Sequence, residues 1–284
     1  MSCGRWLEPV RRFAGDPPAL AAALAILLMV LLAIAGGWFN PNDPQSLDWA
    51  HIATPPAFTN AHWFGTDRLG RDLFVRTLAG ARLSLGIGLV ASAVSAIIGV
   101  LYGAVAGYCG GRVDQLMMRI LEILGGLPLV FFVIFLTVIA GNSLLLLFAA
   151  IGAVGWLTMA RIVRGLTLSI TRKEFIEAAR AGGLSGLRIV FRHVIPNLVG
   201  PVVVYATLTI PQVVLFESFL SFLGLGVQEP RASLGTLIAE GAAEMESAAW
   251  MLLIPGGFLT LLLLCMNVVG DGLRDALDES GHDH

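Results

Sequence analysis

Long apolar runs alternate with short polar intervals along this chain. The runs fall at about 18–39, 84–107, 118–140, 143–164, 197–217 and 249–270. Each approaches the roughly 20 residues that a helix needs to cross bilayer hydrocarbon. The pattern therefore predicts an all-α integral membrane protein with about six transmembrane helices. A polar interval rich in Pro, Asp and Arg separates the first two runs, and a shorter one, with a short helix near 232–246, separates the last two. The chain divides into an N-terminal arm with the first span (1–45), an outer segment (46–83), a core (84–272) and a tail (273–284). No internal repeat or low-complexity tract interrupts this plan.

Composition narrows the class. Charged residues make up 13% of the chain, hydrophobic residues 56%, and the mean hydropathy is +0.81. Soluble domains carry about 25% charged residues, so a water-exposed globule is excluded. The net charge of −2 says little where charges are segregated by loop. Cys3, Cys109 and Cys265 are too scattered for a metal site or a disulfide framework. Arg5, Arg11 and Arg12 ahead of an apolar run, with AIA at 33–35, imitate a signal peptide. The run from Pro18 to Phe39 exceeds the usual 7–15 residues of such a segment, so an uncleaved anchor is expected.

Charge distribution sets an orientation. With the N-terminus inside, 13 of the 18 Lys and Arg residues lie on inner segments, seven of them in 161–192. That satisfies the positive-inside rule and puts both termini in the cytoplasm. Arg68, Arg71, Arg76 and Arg82 lie outside, partly offset by Asp67 and Asp72. Within the second span Ala91, Ser95, Gly99, Gly103 and Gly107 recur every four residues and share one face. Small residues let helix backbones approach closely in lipid, so this face reads as a packing contact.

The interval 171–196 differs from the other loops. Arg172, Lys173, Glu174, Glu177, Arg180, Arg188 and Arg192 would cost roughly 20 kcal/mol to bury, at about 3 kcal/mol each. It therefore lies outside the hydrocarbon, yet its sequence is built to fold. Thr171 and Glu174 have capping-box spacing, and Phe175, Ile176, Ala178 and Ala179 give a short helix an apolar side. Gly182 and Gly183 end it. Ser185 starts a second short helix running through Val194, and Pro196 stops that helix or opens the next span. Two short helices on a glycine elbow suit a docking surface or a hairpin lying on the bilayer.

At these residues the chain resembles a known family. Glu177, Ala178, Ala179, Gly183, Ile195 and Pro196 match the E-A-A, three residues, Gly, nine residues, I-x-L-P loop of ABC-importer permeases. The departures are His193 in place of Ile and Ile195 in place of Leu, a form similar to the peptide/nickel branch. FGTDRLGRDLFVRTLAGARLSLGIG at 64–88 and ESFLSFLGLGVQEPRASLGTLI at 217–238 resemble further segments of its C-type permeases. The resemblance implies a type I ABC-importer transmembrane fold in the bacterial inner membrane, with 171–196 as the loop that couples to an ATPase. It implies as partners a second homologous permease, two ATPase subunits and a periplasmic or lipid-anchored binding protein, besides membrane lipid, and no nucleic acid. Short peptides are the implied cargo; nickel complexes, opines and glutathione-like compounds fit the same architecture.

No energy source is visible in the chain itself. A P-loop needs G-x-x-x-x-G-K-[ST] to cradle phosphates. The only lysine, Lys173, follows Arg172, so no Gly-Lys pair exists. ATP and Mg belong to the implied partner subunits, and no cofactor is expected here. The other class to weigh is a self-sufficient secondary transporter or channel, which favours repeats, broken helices and intramembrane charges. Only Glu217 offers such a charge, facing a pathway or pairing with a neighbouring helix. Pro128, Pro201, Pro211 and Pro255 offer breaks.

The remaining polar candidates are weaker. Asp67, Arg68, Arg71 and Asp72 read as a salt-bridge cluster at the entry to the second span, or as a contact for a binding protein. Glu240, Glu244 and Glu246 read as a solvated face or as a docking patch. His51 and His62 have no ligand partners at metal spacing, and His282 and His284 sit on an acidic tail, so no metal is expected. No catalytic constellation appears, so this is not an enzyme.

Overall fold

The structure is a computed structural model that describes residues 7–39, 43–57, 62–141 and 144–278. The elements run α1 (Leu7–Ala14), α2 (Pro17–Phe39), α3 (Leu73–Cys109), α4 (Gly111–Gly125), α5 (Leu129–Ala140), α6 (Leu144–Ile170), α7 (Glu174–Ala181) and α8 (Gly186–Ile189). A π-helical turn (Val190–Val194), α9 (Ile195–Phe222), α10 (Leu234–Ala243) and α11 (Trp250–Asp278) complete the chain. Among the described residues no strand forms, and one isolated bridge pairs Thr66 with Asp72.

Helix α3 is the central rod. Its 37 residues correspond to about 55 Å at 1.5 Å per residue, well beyond a hydrocarbon layer of about 30 Å. It starts at Leu73, earlier than the apolar run suggests, because Asp72 caps it: its Oδ1 accepts from the Val75 amide at 3.0 Å. The polar first turns, with Arg76 and Thr77 buried, find partners in protein. The small-residue face lies along α6. A Cβ on Gly99 would come within 2.6 Å of Met159, and one on Gly107 within 2.7 Å of Thr167. One on Gly103 would strike the Ala160 carbonyl. Ser95 donates its hydroxyl to the Gly152 carbonyl at 3.3 Å, and Ala91 is buried. The other flanks of α3 meet α9, α2 and α10, while α11 packs across α2, α9 and α10.

Among the described residues four helical stretches are long and apolar enough to cross a membrane: Pro17–Gly36, Leu73–Cys109, Gly186–Phe222 and Trp250–Leu277. A fifth arises if Gly111–Gly125 and Val130–Leu136 form one span, though they are bent by 79°. The run at 118–140 is thus not the straight helix its composition suggests. Gly125 and Gly126 weaken it, and Pro128 lacks the amide and has the ring that exclude it from a helix interior. The run at 143–164 falls on α6, where the side chains of 142–150 lie outside the described residues. Pro201, Pro211 and Pro255 do not break their helices; all three lie inside continuous ones.

Candidate functional site

The interval 171–196 folds against the end of the α3–α6 pair. Its start corrects the capping-box expectation. The Thr171 amide still bonds to the Thr167 carbonyl at 2.9 Å, and the Thr171 hydroxyl donates to the Leu168 carbonyl at 3.0 Å. Thr171 therefore finishes α6, and Lys173 is the N-cap of α7, with no side-chain bond. Glu174 and Glu177 lie in the first turn of α7, where a negative charge suits the helix dipole. The end of α7 is a Schellman motif. The Leu184 amide reaches the Ala179 carbonyl at 3.2 Å and the Gly183 amide reaches that of Arg180 at 3.0 Å. This closure needs a left-handed residue at 183, and Gly183 has φ +77° with no neighbour within 4 Å of a Cβ there. Any other residue at 183 would be strained by its backbone alone.

In the second leg Pro196 opens the next span, one of the two expectations for it, rather than stopping a helix. Ser185 is the N-cap of α8, but no break follows at Pro196. Residues 186–222 form one rod, widened into a π-turn at 190–194, where the Ile195 amide bonds to the Val190 carbonyl. The widening lies just ahead of Pro196, whose ring would otherwise meet the carbonyl four residues back. Pro196 itself opens α9 in its first turn.

What seats α7 is Ile176. It is fully buried in a cluster with Ala104 of α3, Met159, Val163 and Ile170 of α6, and Ile189, Val190 and Val194 of the following leg. Ala179, Leu184 and Ile195 flank this cluster. The Arg180 guanidinium lies 5.3 Å from the centre of the Tyr108 ring, a cation–π contact. The opposite side faces outward, with Phe175, Glu177, Ala178, Leu187 and Phe191 exposed. Beside it Arg164 donates twice to Asp114, both bonds at 2.5 Å, tying α4 to α6. Only the fold brings these two residues, 50 positions apart, together.

At the far end of α3 the charged residues form one network. Arg71 donates to Asp67 at 2.6 Å, to Glu229 at 3.0 Å and to Glu240 at 3.4 Å. Arg76 donates to Asp67 and, at 2.7 and 3.0 Å, to Glu240. Burial works against the Arg71 cation, but its bonds to Asp67 and Glu229 outweigh that, so its pKa lies above the ordinary value. Asp67 and Arg71 thus belong to a cluster that sequence spacing indicates, while Arg68 is exposed and Asp72 caps α3. Glu240 corrects the solvated-face reading, since it is the acceptor that ties α10 to α3. Glu246 is exposed.

Glu217 is fully buried. Ser84 and Ser221 each donate to it at 2.7 Å. The Ser84 oxygen also accepts from the Leu234 amide at 3.3 Å, and that of Ser221 from the Val227 amide at 3.1 Å. One carboxylate thus joins α3, α9 and the start of α10, which places it in a structural hub. The expectation that His51 and His62 have no ligand partners is also corrected. Their ring nitrogens and a carboxylate oxygen of Asp48 lie within 4.8 Å of one another. Spacing alone missed this because a turn, not a helix, brings them together. His282 and His284 lie outside the described residues.

Comparison with known proteins places this arrangement. Residues 99–280 match the family described as binding-protein-dependent transport system inner membrane component. Residues 4–56 match the N-terminal TM domain of oligopeptide transport permease C. The oligopeptide transport system permease protein OppC of Escherichia coli (strain K12) is 51% identical over 273 residues, 96% of this chain and 90% of that protein. Its Haemophilus influenzae counterpart is 48% identical over 96% of this chain and 88% of that protein. An inward-facing structure of the MetNI methionine ABC transporter shares the fold, with a TM-score of 0.58 at 21% identity, covering 71% of this chain and 96% of that one. On these matches the chain belongs to the binding-protein-dependent transport system inner membrane components, as a C-type permease, the non-catalytic membrane subunit of an ABC importer.

Proposed function

We propose that the chain forms half of the pathway of an oligopeptide importer and takes its energy from a separate ATPase through α7. The observation that carries this reading is the two-sided character of α7. Ile176 is locked into the ends of α3, α6 and the α9 leg, while Phe175, Glu177 and Ala178 face outward. An eight-residue helix is too short to be stable alone in water, so one seated this way moves with the spans beneath it. A second, related permease completes the pathway, two ATPase subunits close on the outward faces, and a binding protein delivers peptide on the opposite side. ATP binding then swings the coupling legs as rigid bodies. In this arrangement both termini and the 171–196 loop are cytoplasmic and the membrane is the bacterial inner one. The relatives named for oligopeptide transport support that cargo over nickel complexes, opines or glutathione-like compounds.

The test is uptake by proteoliposomes holding this chain with a second permease and ATPase subunits co-purified from its native membrane. Labelled tetrapeptide, supplied with the binding protein, should accumulate only with ATP in the compartment facing the ATPase. Accumulation by this chain alone, driven by an ion gradient, would instead establish a secondary transporter.

A further inference from the structure

Three side chains that the importer reading does not use meet beside the start of α3. His62 is buried, and its Nδ1 lies 2.8 Å from Oδ2 of buried Asp72. Asp72 is itself fixed, since its other oxygen caps α3. The Asp72 carboxylate accepts from Nδ1, and Nε2, on the other side of the ring, lies 3.6 Å from Oδ2 of Asp48. The same Asp48 oxygen lies 2.8 Å from Nδ1 of His51. Four-coordinate zinc with bonds of about 2.0–2.1 Å holds its ligand atoms about 3.3 Å apart, between those two separations. A histidine ligand usually gives its second ring nitrogen to a carboxylate that fixes ring and tautomer, and Asp72 occupies that position.

The scaffold is already in place. Asp48 Oδ1 accepts from the Ala50 amide at 3.0 Å, which turns Oδ2 toward the histidines. The Thr66 hydroxyl donates to the His51 carbonyl and accepts from the Thr54 amide, and the Ala53 amide bonds to the Asp67 carbonyl at 3.0 Å. Gly70 has φ +75°, and a Cβ there would strike the Asp48 carbonyl. Asp48 and His51 are half-exposed, with side chains 41% and 45% accessible, so an ion can enter from solvent.

We propose that Asp48, His51 and His62 bind one divalent transition-metal ion of the zinc class, with Asp72 as the positioning carboxylate behind His62. Two imidazoles and a carboxylate suit zinc rather than calcium or magnesium, which prefer all-oxygen shells. Three protein ligands leave a fourth position open for water or an incoming group. Bound metal would clip the 48–54 turn to the base of α3.

The experiment is titration of the chelator-stripped full chain in detergent with Zn²⁺ by calorimetry, and with Co²⁺ by visible absorption. His282→Ala and His284→Ala form the background, so that the tail contributes nothing. One ion per chain is expected, with four-coordinate Co²⁺ bands. His51→Ala and Asp48→Asn, both at half-exposed positions, should each weaken binding at least 10-fold. Asp72→Asn should weaken it about 10- to 100-fold. No binding in the background chain, or binding undiminished by His51→Ala, overturns the assignment. Because His51 is half-exposed, this holds even if a buried-site variant fails to fold.

Discussion

Replacing Ile176 by Ala should detach α7 without unfolding the spans. Ile176 is 0% exposed and belongs to a buried cluster that also holds side chains of α3, α6 and the α9 leg. Truncating a buried isoleucine to alanine costs about 2–5 kcal/mol, the transfer loss plus the cavity left behind. An eight-residue helix has little stability of its own to set against that. A loss of about 3 kcal/mol shifts the docked population more than 100-fold. Hydrogen exchange in nanodiscs should therefore show α7 amides exchanging about 100-fold faster, with protection in α3 and α9 retained. Phe175→Ala is the matched control, because Phe175 lies on the outward face at 41% exposure. It should leave exchange unchanged and weaken ATPase capture, since interface aromatics commonly contribute more than 1 kcal/mol. Unchanged α7 protection in Ile176→Ala would refute the claim that this residue seats the helix.

Further perturbations test the hubs on which α3 rests. Gly103→Val should force α3 and α6 apart, because its Cβ would meet Ala160, Val163 and the Arg164 backbone; a cost at or above the usual 1–3 kcal/mol of overpacking should appear as a lower unfolding temperature in detergent. Glu217→Ala removes the acceptor of Ser84 and Ser221. Leaving a buried hydroxyl without its partner costs about 1–3 kcal/mol, so thermal stability should fall clearly, and Glu217→Gln should restore part of it. Arg76→Met leaves Asp67 and Glu240 without one of their cations. Breaking a buried pair costs about 3–5 kcal/mol, and limited proteolysis should then cut the 228–248 segment faster than in the parent chain.

The sequence carries the helices and the glycine elbow at 182–183 well, because both rest on local physics. Apolar runs of spanning length, the four-residue recurrence from Ala91 to Gly107 and the left-handed requirement at Gly183 need only near neighbours to be read. Element edges are less legible. The start of α3 at Leu73 is set by the Asp72 cap, and its polar first turns are buried with partners such as Glu240, 164 positions from Arg76, so a polar stretch conceals helix. The Thr171 and Glu174 spacing fits a capping box, yet α6 continues far enough to claim the Thr171 amide for itself. The Asp48, His51 and His62 cluster and the Asp114–Arg164 pair come from loop and helix packing that no periodicity reports. Glu240 looked solvated for the same reason: its partners belong to another helix.

The proposed role of 171–196 is that of a handle for an ATPase carried by another subunit. Its most direct test is affinity purification of the full chain from its native membrane in mild detergent, with mass spectrometry of the partners. The parent chain should bring down an ATPase and a second permease. The Glu177→Lys, Gly183→Trp double variant should keep the permease, insert normally and lose the ATPase. A stable homo-oligomer with no ATPase, or an ATPase retained in full by the double variant, would contradict the account.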